Sequence, residues 1–207
     1  MSRSIINFQQ ITVLVSILYL FSCESSKNSA TTTPEAKIYD EKRLIEVPDE
    51  FAISKERAGN LTIDMPINNI FSYYNKANIS KSVYTSEGQK YEAYFIKTSR
   101  DTSRYLRIDP ICSDSCKIWR IKVSDKRYKT RSGLGIGSSV GEIKSYHFID
   151  WVGNTPDGPA FGLERLGIIF LIDSTGLSPS MRKDMDLENL ADSTKVTGIV
   201  ITKGLNR

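Results

Sequence analysis

Two segments of this chain, IDMPINNIFSY at 63–73 and IGSSVGEIKSY at 136–146, share the pattern I-x-x-x-[IV]-x-x-I-x-S-Y. Further on, YLRID at 105–109 matches IFLID at 169–173. DSCKIWRIKV at 114–123 then matches DSTKVTGIVI at 192–201. The matches fall in the same order in both halves, which points to an internal duplication. A duplication constrains a fold strongly, because each copy must build the same supersecondary unit and bury its apolar face beside the other.

Each copy reads as one helix followed by strands. Ile67, Ile70, Phe71 and Tyr74 recur at helical spacing in the first copy, and Val140, Ile143 and Tyr146 or His147 in the second. Pro66 suits a first helical turn. Ser139 and Glu142 fit a capping box, in which the serine side chain takes an unpaired N–H and the glutamate reaches back. The strand-like runs are 90–97, 105–108 and 117–123, then 160–166, 167–172 and 196–202. In KIWRIKV, alternation places Trp119, Ile121 and Val123 on one side, against Arg120 and Lys122. The expectation is an α+β fold of two tandem helix-plus-antiparallel-strand repeats packed as one domain, with helices on one sheet face and water or a partner on the other. Repeat 1 covers about 55–123 and repeat 2 about 124–203, within a folded domain at 40–207. The second face is less polar in repeat 2, where Ile169, Leu171, Val196 and Val200 occur.

The N-terminus sets the compartment. Residues 1–10 carry one arginine and no acid, and ITVLVSILYLF at 11–21 is an apolar run too short to span a bilayer as a helix. It leads into Leu20-Phe21-Ser22-Cys23, which resembles the bacterial lipoprotein signal: an aliphatic residue, a bulkier neighbour than usual, a small residue, then cysteine. The resemblance implies a signal peptide at 1–22 and lipid on the sulfur of Cys23, which anchors the chain to a membrane of the cell envelope, the outer one by expectation. Residues 23–39 are rich in Ser and Thr without a large apolar residue between 24 and 37, and read as a disordered tether. The formal charge of +4, which loses only Arg3 with the leader, is too small and too dispersed to suggest nucleic acid.

GLGIGSSVGE at 133–142 looks like a phosphate loop. Its glycines at 133, 135 and 137 lack the dinucleotide spacing, and no lysine stands where a P-loop needs one. A tight entry into the second helix accounts for them, so neither nucleotide nor other cofactor is expected. Cys112 and Cys116, four residues apart in an exported chain, are most simply a structural disulfide.

Gly137-Ser138-Ser139-Val140-Gly141-Glu142-Ile143 fits G-x-[ST]-x-x-[EQ]-[VI]. This resembles the helix start of small envelope lipoproteins of the SmpA/OmlA (BamE-like) type, and tandem helix-plus-sheet repeats resemble the β-lactamase-inhibitor-protein fold. Asp64 to Ile70 in the first copy lacks the motif's glycine and acid. The resemblance implies an architecture and a habit of binding other proteins through a sheet or loop surface.

Chemistry is harder to place. His147 is the single histidine, no serine sits in a nucleophile elbow, and 184–195 departs from a calcium loop at its glycine and terminal glutamate positions. No metal site is expected. WVGNTPDGPAF at 151–161 has two prolines and two glycines between Trp151 and Phe161, which reads either as Trp151 capping the core after the helix or as a recognition loop with these aromatics as the candidate binding surface. The long connection at 174–191 is a second candidate surface. The expected function is a non-enzymatic, lipid-anchored module that binds another envelope protein. The alternatives are a small-ligand binder, marked by an apolar pocket between the two helices, and an enzyme acting on wall or glycan.

Overall fold

The computed structural model describes residues 44–175, 177–179 and 185–204. All of these belong to one compact unit, Tyr39–Arg207. The leader, Cys23 and the tether lie outside the described residues, as do 176 and 180–184 of the long connection.

Twelve strands and two short α-helices make the described residues predominantly β. This overturns the α+β expectation. The helix-spaced residues of the first copy form a single turn, α1 (Ile70–Tyr73), after a 3-10 turn at Ile67–Asn69. Asparagines, aromatics and serine there are poor helix formers, and the chain turns extended at Tyr74. In the second copy α2 (Val140–Tyr146) has seven residues, with the expected Ser139–Glu142 capping box, and it ends where His147 turns extended. Neither helix is long enough to form a layer.

The strands form two sheets. β1 (Ala52–Ser54), β2 (Arg57–Ala58), β3 (Leu61–Thr62) and β8 (Lys129–Thr130) make a small sheet in the order β3-β2-β1-β8. The large sheet contains β4 (Ile79–Ser86), β5 (Gln89–Lys97), β6 (Tyr105–Cys112), β7 (Cys116–Val123), β9 (Trp151–Thr155), β10 (Gly158–Leu163), β11 (Ile168–Ile172) and β12 (Val196–Ile201). Its order is β4-β5-β6-β7-β12-β11-β10-β9, antiparallel at every pairing. Thus two four-stranded meanders, β4 to β7 and β9 to β12, meet at the β7–β12 pair.

The meanders share detail that strand order alone does not require. The Asp64 N–H donates to the Ile118 carbonyl, and the Ile118 N–H donates to the Met65 carbonyl. The Gly137 N–H donates to the Val196 carbonyl, and the Val196 N–H to the Ser138 carbonyl. These positions are the ones paired by the sequence matches at 63–73 with 136–146 and 114–123 with 192–201. A bulge recurs as well: the β6–β7 register shifts between Asp109 and Pro110, and the β11–β12 register between Leu171 and Ile172. Through these bulges Asp109 and Leu171 are equivalent, and so are Arg107 and Ile169, which moves the YLRID–IFLID match by two residues and leaves its faces unchanged.

The bulge also corrects the place of Trp119. Pro110 has no N–H for the ladder, so one extra residue of β7 is left opposite it. That residue is Trp119, 47% exposed, while Ile118, Ile121 and Val123 are buried.

The core lies between the first face of the large sheet and a lid built from α1, α2, the small sheet and the long connection. Ile70, Val140, Ile143, Leu61, Ile53, Leu177 and Leu190 meet Ile96, Leu106, Ile108, Ile121, Phe161, Phe170 and Ile199 in one cluster. At the distal end of the β6–β7 hairpin Cys112 and Cys116 form the expected disulfide, as directly opposed residues.

Candidate functional site

The second face of the large sheet differs between the meanders. In the β9–β12 half it carries Ala160, Leu171 and Val200, all buried, with Trp151 and Ile169 packed against them. Trp151 lies across Gly162, its cross-strand neighbour, where any side chain would collide with the indole. So this half is covered by its own tryptophan, and the apolar character noted for repeat 2 has that cause. Val196 packs into the main core instead.

In the β4–β7 half the equivalent positions carry charge. Arg107 stands where Ile169 does, Asp109 for Leu171, Arg120 for Gly198 and Lys122 for Val200. Arg107 donates from Nε and Nη2 to the Asp109 carboxylate at 3.0 and 3.2 Å, and Arg120 donates from Nε to the same group at 2.7 Å. Asp157, in the β9–β10 turn, closes the cluster. It accepts from Arg107 Nη1 and Nη2, both at 3.0 Å, and from Lys122 Nζ at 2.8 Å.

These contacts show that the sheet is curled. In a flat sheet β6 and β10 would lie four spacings apart, roughly 19 Å, which an arginine and an aspartate cannot bridge. The second face is therefore concave, and Gly162 leaves room on it for the Trp151 ring. Burial raises the Asp157 pKa, but the hydrogen bonds from Arg107 and Lys122 outweigh it and hold the carboxyl below the ordinary range. Burial likewise opposes charge on Arg107, and the bonds to Asp157 and Asp109 overcome it. Three cations face two carboxylates here, so the cluster keeps one excess positive charge.

An aromatic strip runs from the cluster to the surface. The Arg107 guanidinium lies 4.3 Å from the Tyr84 ring centre, and the Tyr84 hydroxyl accepts from Arg120 Nη2 at 2.9 Å. Tyr84 stacks on Tyr91 at 5.6 Å, and the Arg120 guanidinium lies 5.1 Å from the Trp119 ring. Trp119, Tyr91 (38% exposed) and Ile111 (57% exposed) open to solvent. Burial and the neighbouring Asp109 raise the Tyr84 pKa, so it stays a neutral phenol that can also donate.

The surface expected from the sequence lies elsewhere. Phe161 is fully buried and stacks on Phe170 at 5.3 Å, so it is a core residue, and the segment 151–161 is the β9–β10 hairpin rather than a recognition loop. Trp151 packs on the concave face, half-buried. The 174–191 connection is tied down by buried Leu177 and Leu190. His147 lies just past α2, and burial lowers its pKa, which favours the neutral ring. Among the described residues no group of three or more His, Cys, Asp or Glu is placed to hold a metal ion. Tyr84 was missed because β4, with its serines, gives little apolar signal. The signal for Trp119 was present: a proline in the neighbouring strand implies a bulge.

No family model and no curated protein sequence matches the chain. A solved structure does: the crystal structure of the uncharacterized protein yfeY from Escherichia coli, with a TM-score of 0.54 and 17% identity, covering 73% of this chain and 99% of that one. At that identity the likeness is one of fold alone.

Proposed function

We propose that this protein is a lipid-anchored envelope protein whose folded domain binds another protein through the concave face of the β4–β7 half. One observation carries this reading: four positions that the other meander fills with Ile, Leu, Gly and Val hold Arg107, Asp109, Arg120 and Lys122. The architecture does not need charges there, and buried ion pairs are seldom better for stability than apolar side chains of similar volume. The charges instead hold Tyr84 and Arg120 in a fixed array beside exposed Trp119 and Tyr91, the residue types that dominate binding hot spots. The anchor rests on the sequence 11–23. No helix of the described residues is long and apolar enough to cross a membrane.

Crosslinking pull-down of the tagged full chain from native envelopes tests the binding surface. One recurrent partner, lost with Trp119→Ala and with Tyr91→Ala, is expected. A partner that survives both changes, or no partner under several crosslinkers, overturns the reading. Labelled palmitate incorporation tests the anchor: it should disappear in Cys23→Ser.

A further inference from the structure

We infer that the outer edge of β4 accepts an extended, acidic segment of another polypeptide as a ninth strand of the large sheet. This rests on the binding-module reading above and specifies its partner. β4 ends the sheet and pairs with β5 over eight residues without a break in register. Among the described residues no other strand pairs with it and no further backbone group bonds to it.

The turn fixes which groups are free. Glu87 and Gly88, with φ of 50° and 76°, make a two-residue turn of the mirror-image type. Such a turn closes on a pair that exchanges both hydrogen bonds, here Ser86 with Gln89, and hydrogen-bonded pairs alternate from there. The N–H and C=O groups of Ile79, Lys81, Val83 and Thr85 therefore point outward.

Edge strands of this length are normally blunted by proline, bulges or several charges. β4 has neither proline nor bulge, and its one charge, Lys81, is tied to Glu92 of β5 at 2.8 Å. The opposite edge, β9, has five residues, contains a glycine and runs into Pro156.

The faces beside the edge define the occupant. Ser80 and Ser82 put small side chains on the concave face, next to a groove of about 410 Å³ floored by Phe95 and Tyr105 and bounded by Lys97 and Thr102. Alternate side chains of an added strand would enter that groove. Lys97 in the groove and Arg100 in the hollow adjoining it make no ion pair among the described residues. This excess of cations selects an acidic strand and opposes a second copy, which would bring two such edges together.

Titration of the full chain in detergent with a labelled ten-residue peptide alternating valine and glutamate tests the inference. The expected result is saturable binding, at least about tenfold tighter than the peptide with lysine for glutamate. Val83→Pro removes an outward N–H and no ladder bond, and Lys97→Glu reverses the groove charge. Each should weaken binding at least about tenfold while thermal unfolding stays cooperative. Equal binding of both peptides, no binding of the acidic one, or unchanged affinity in both variants overturns the inference. So does a dimer in sedimentation that Val83→Pro dissolves, since a second copy then holds the edge. An envelope partner lost with Trp119→Ala but kept with Val83→Pro removes the strand addition and leaves the binding-module reading standing.

Discussion

Asp157 is the residue on which the concave face turns. It joins a β9–β10 turn to β6 and β7, and it is buried among Arg107, Lys122 and Arg120. Removing it leaves those cations unpaired, so Asp157→Ala should cost about 3 kcal/mol in urea unfolding. Its folded-state pKa is depressed, so the ionised group stabilises the fold above the ordinary carboxylate value near about 4. That contribution is lost as the pH falls through the lower folded value. Urea midpoints between neutral and strongly acid pH should fall steeply for the wild type and less steeply for Asp157→Asn. A flat wild-type profile would contradict the assignment. Gly162 matters for the opposite reason. Trp151 lies where its Cβ would be, so Gly162→Ala should cost about 1–3 kcal/mol and shift tryptophan emission in a Trp119→Phe background.

At the scale of elements, the β6–β7 hairpin links the site to the core. Its bulge turns Trp119 outward, and Cys112 and Cys116 hold the strands together just beyond it. The closed loop is short, so reduction or the Cys112→Ser, Cys116→Ser double change should cost only about 2 kcal/mol. Amide exchange should quicken near Ile111 and Lys117 and stay unchanged near Ile108 and Ile121. Global loss of structure on reduction would show that the disulfide does more than close the hairpin end. The glycine run before α2 is an element-level matter too. Gly133 and Gly137 have φ of 79° and 91°, and Gly135 packs against the Tyr128 carbonyl and the Lys129 side chain, so the run turns the chain from β8 into the capped helix.

At the scale of the molecule, the two meanders share one core and one continuous sheet. Ile199 and Ile201 of β12 face Val123 and Ile121 of β7, and one cluster takes residues from both halves. A chain ending at residue 123 would expose that whole joint, so it should lack cooperative unfolding and show collapsed amide dispersion in NMR spectra. A dispersed spectrum from that fragment would mean that each meander folds alone. The N-terminal segment ties into the C-terminal end as well: Glu56 accepts from the Gly204 N–H, and Asp64 pairs with Lys203 at 2.6 Å. Removing residues up to and including 56, or those after 202, should therefore lower the melting temperature.

By itself the sequence determined the local features, because these depend on neighbours along the chain. The capping box at Ser139 and Glu142, the close cysteine pair and the alternation that buries Ile121 and Val123 follow from spacing alone. The matched segments around Asp64 and Gly137, and around Ile118 and Val196, make the same hydrogen bonds. Tertiary structure decided the rest. Helical spacing cannot say how far a helix runs, and both helices stop after one or two turns because β structure takes over the packing. A strand of serines and tyrosines such as β4 has too little apolar periodicity to announce itself, and its partner β5 supplies the order. The concave face is set by curvature: only when the sheet curls does Asp157 reach Arg107, fifty residues away, and only then do Tyr84, Arg120 and Trp119 become one surface.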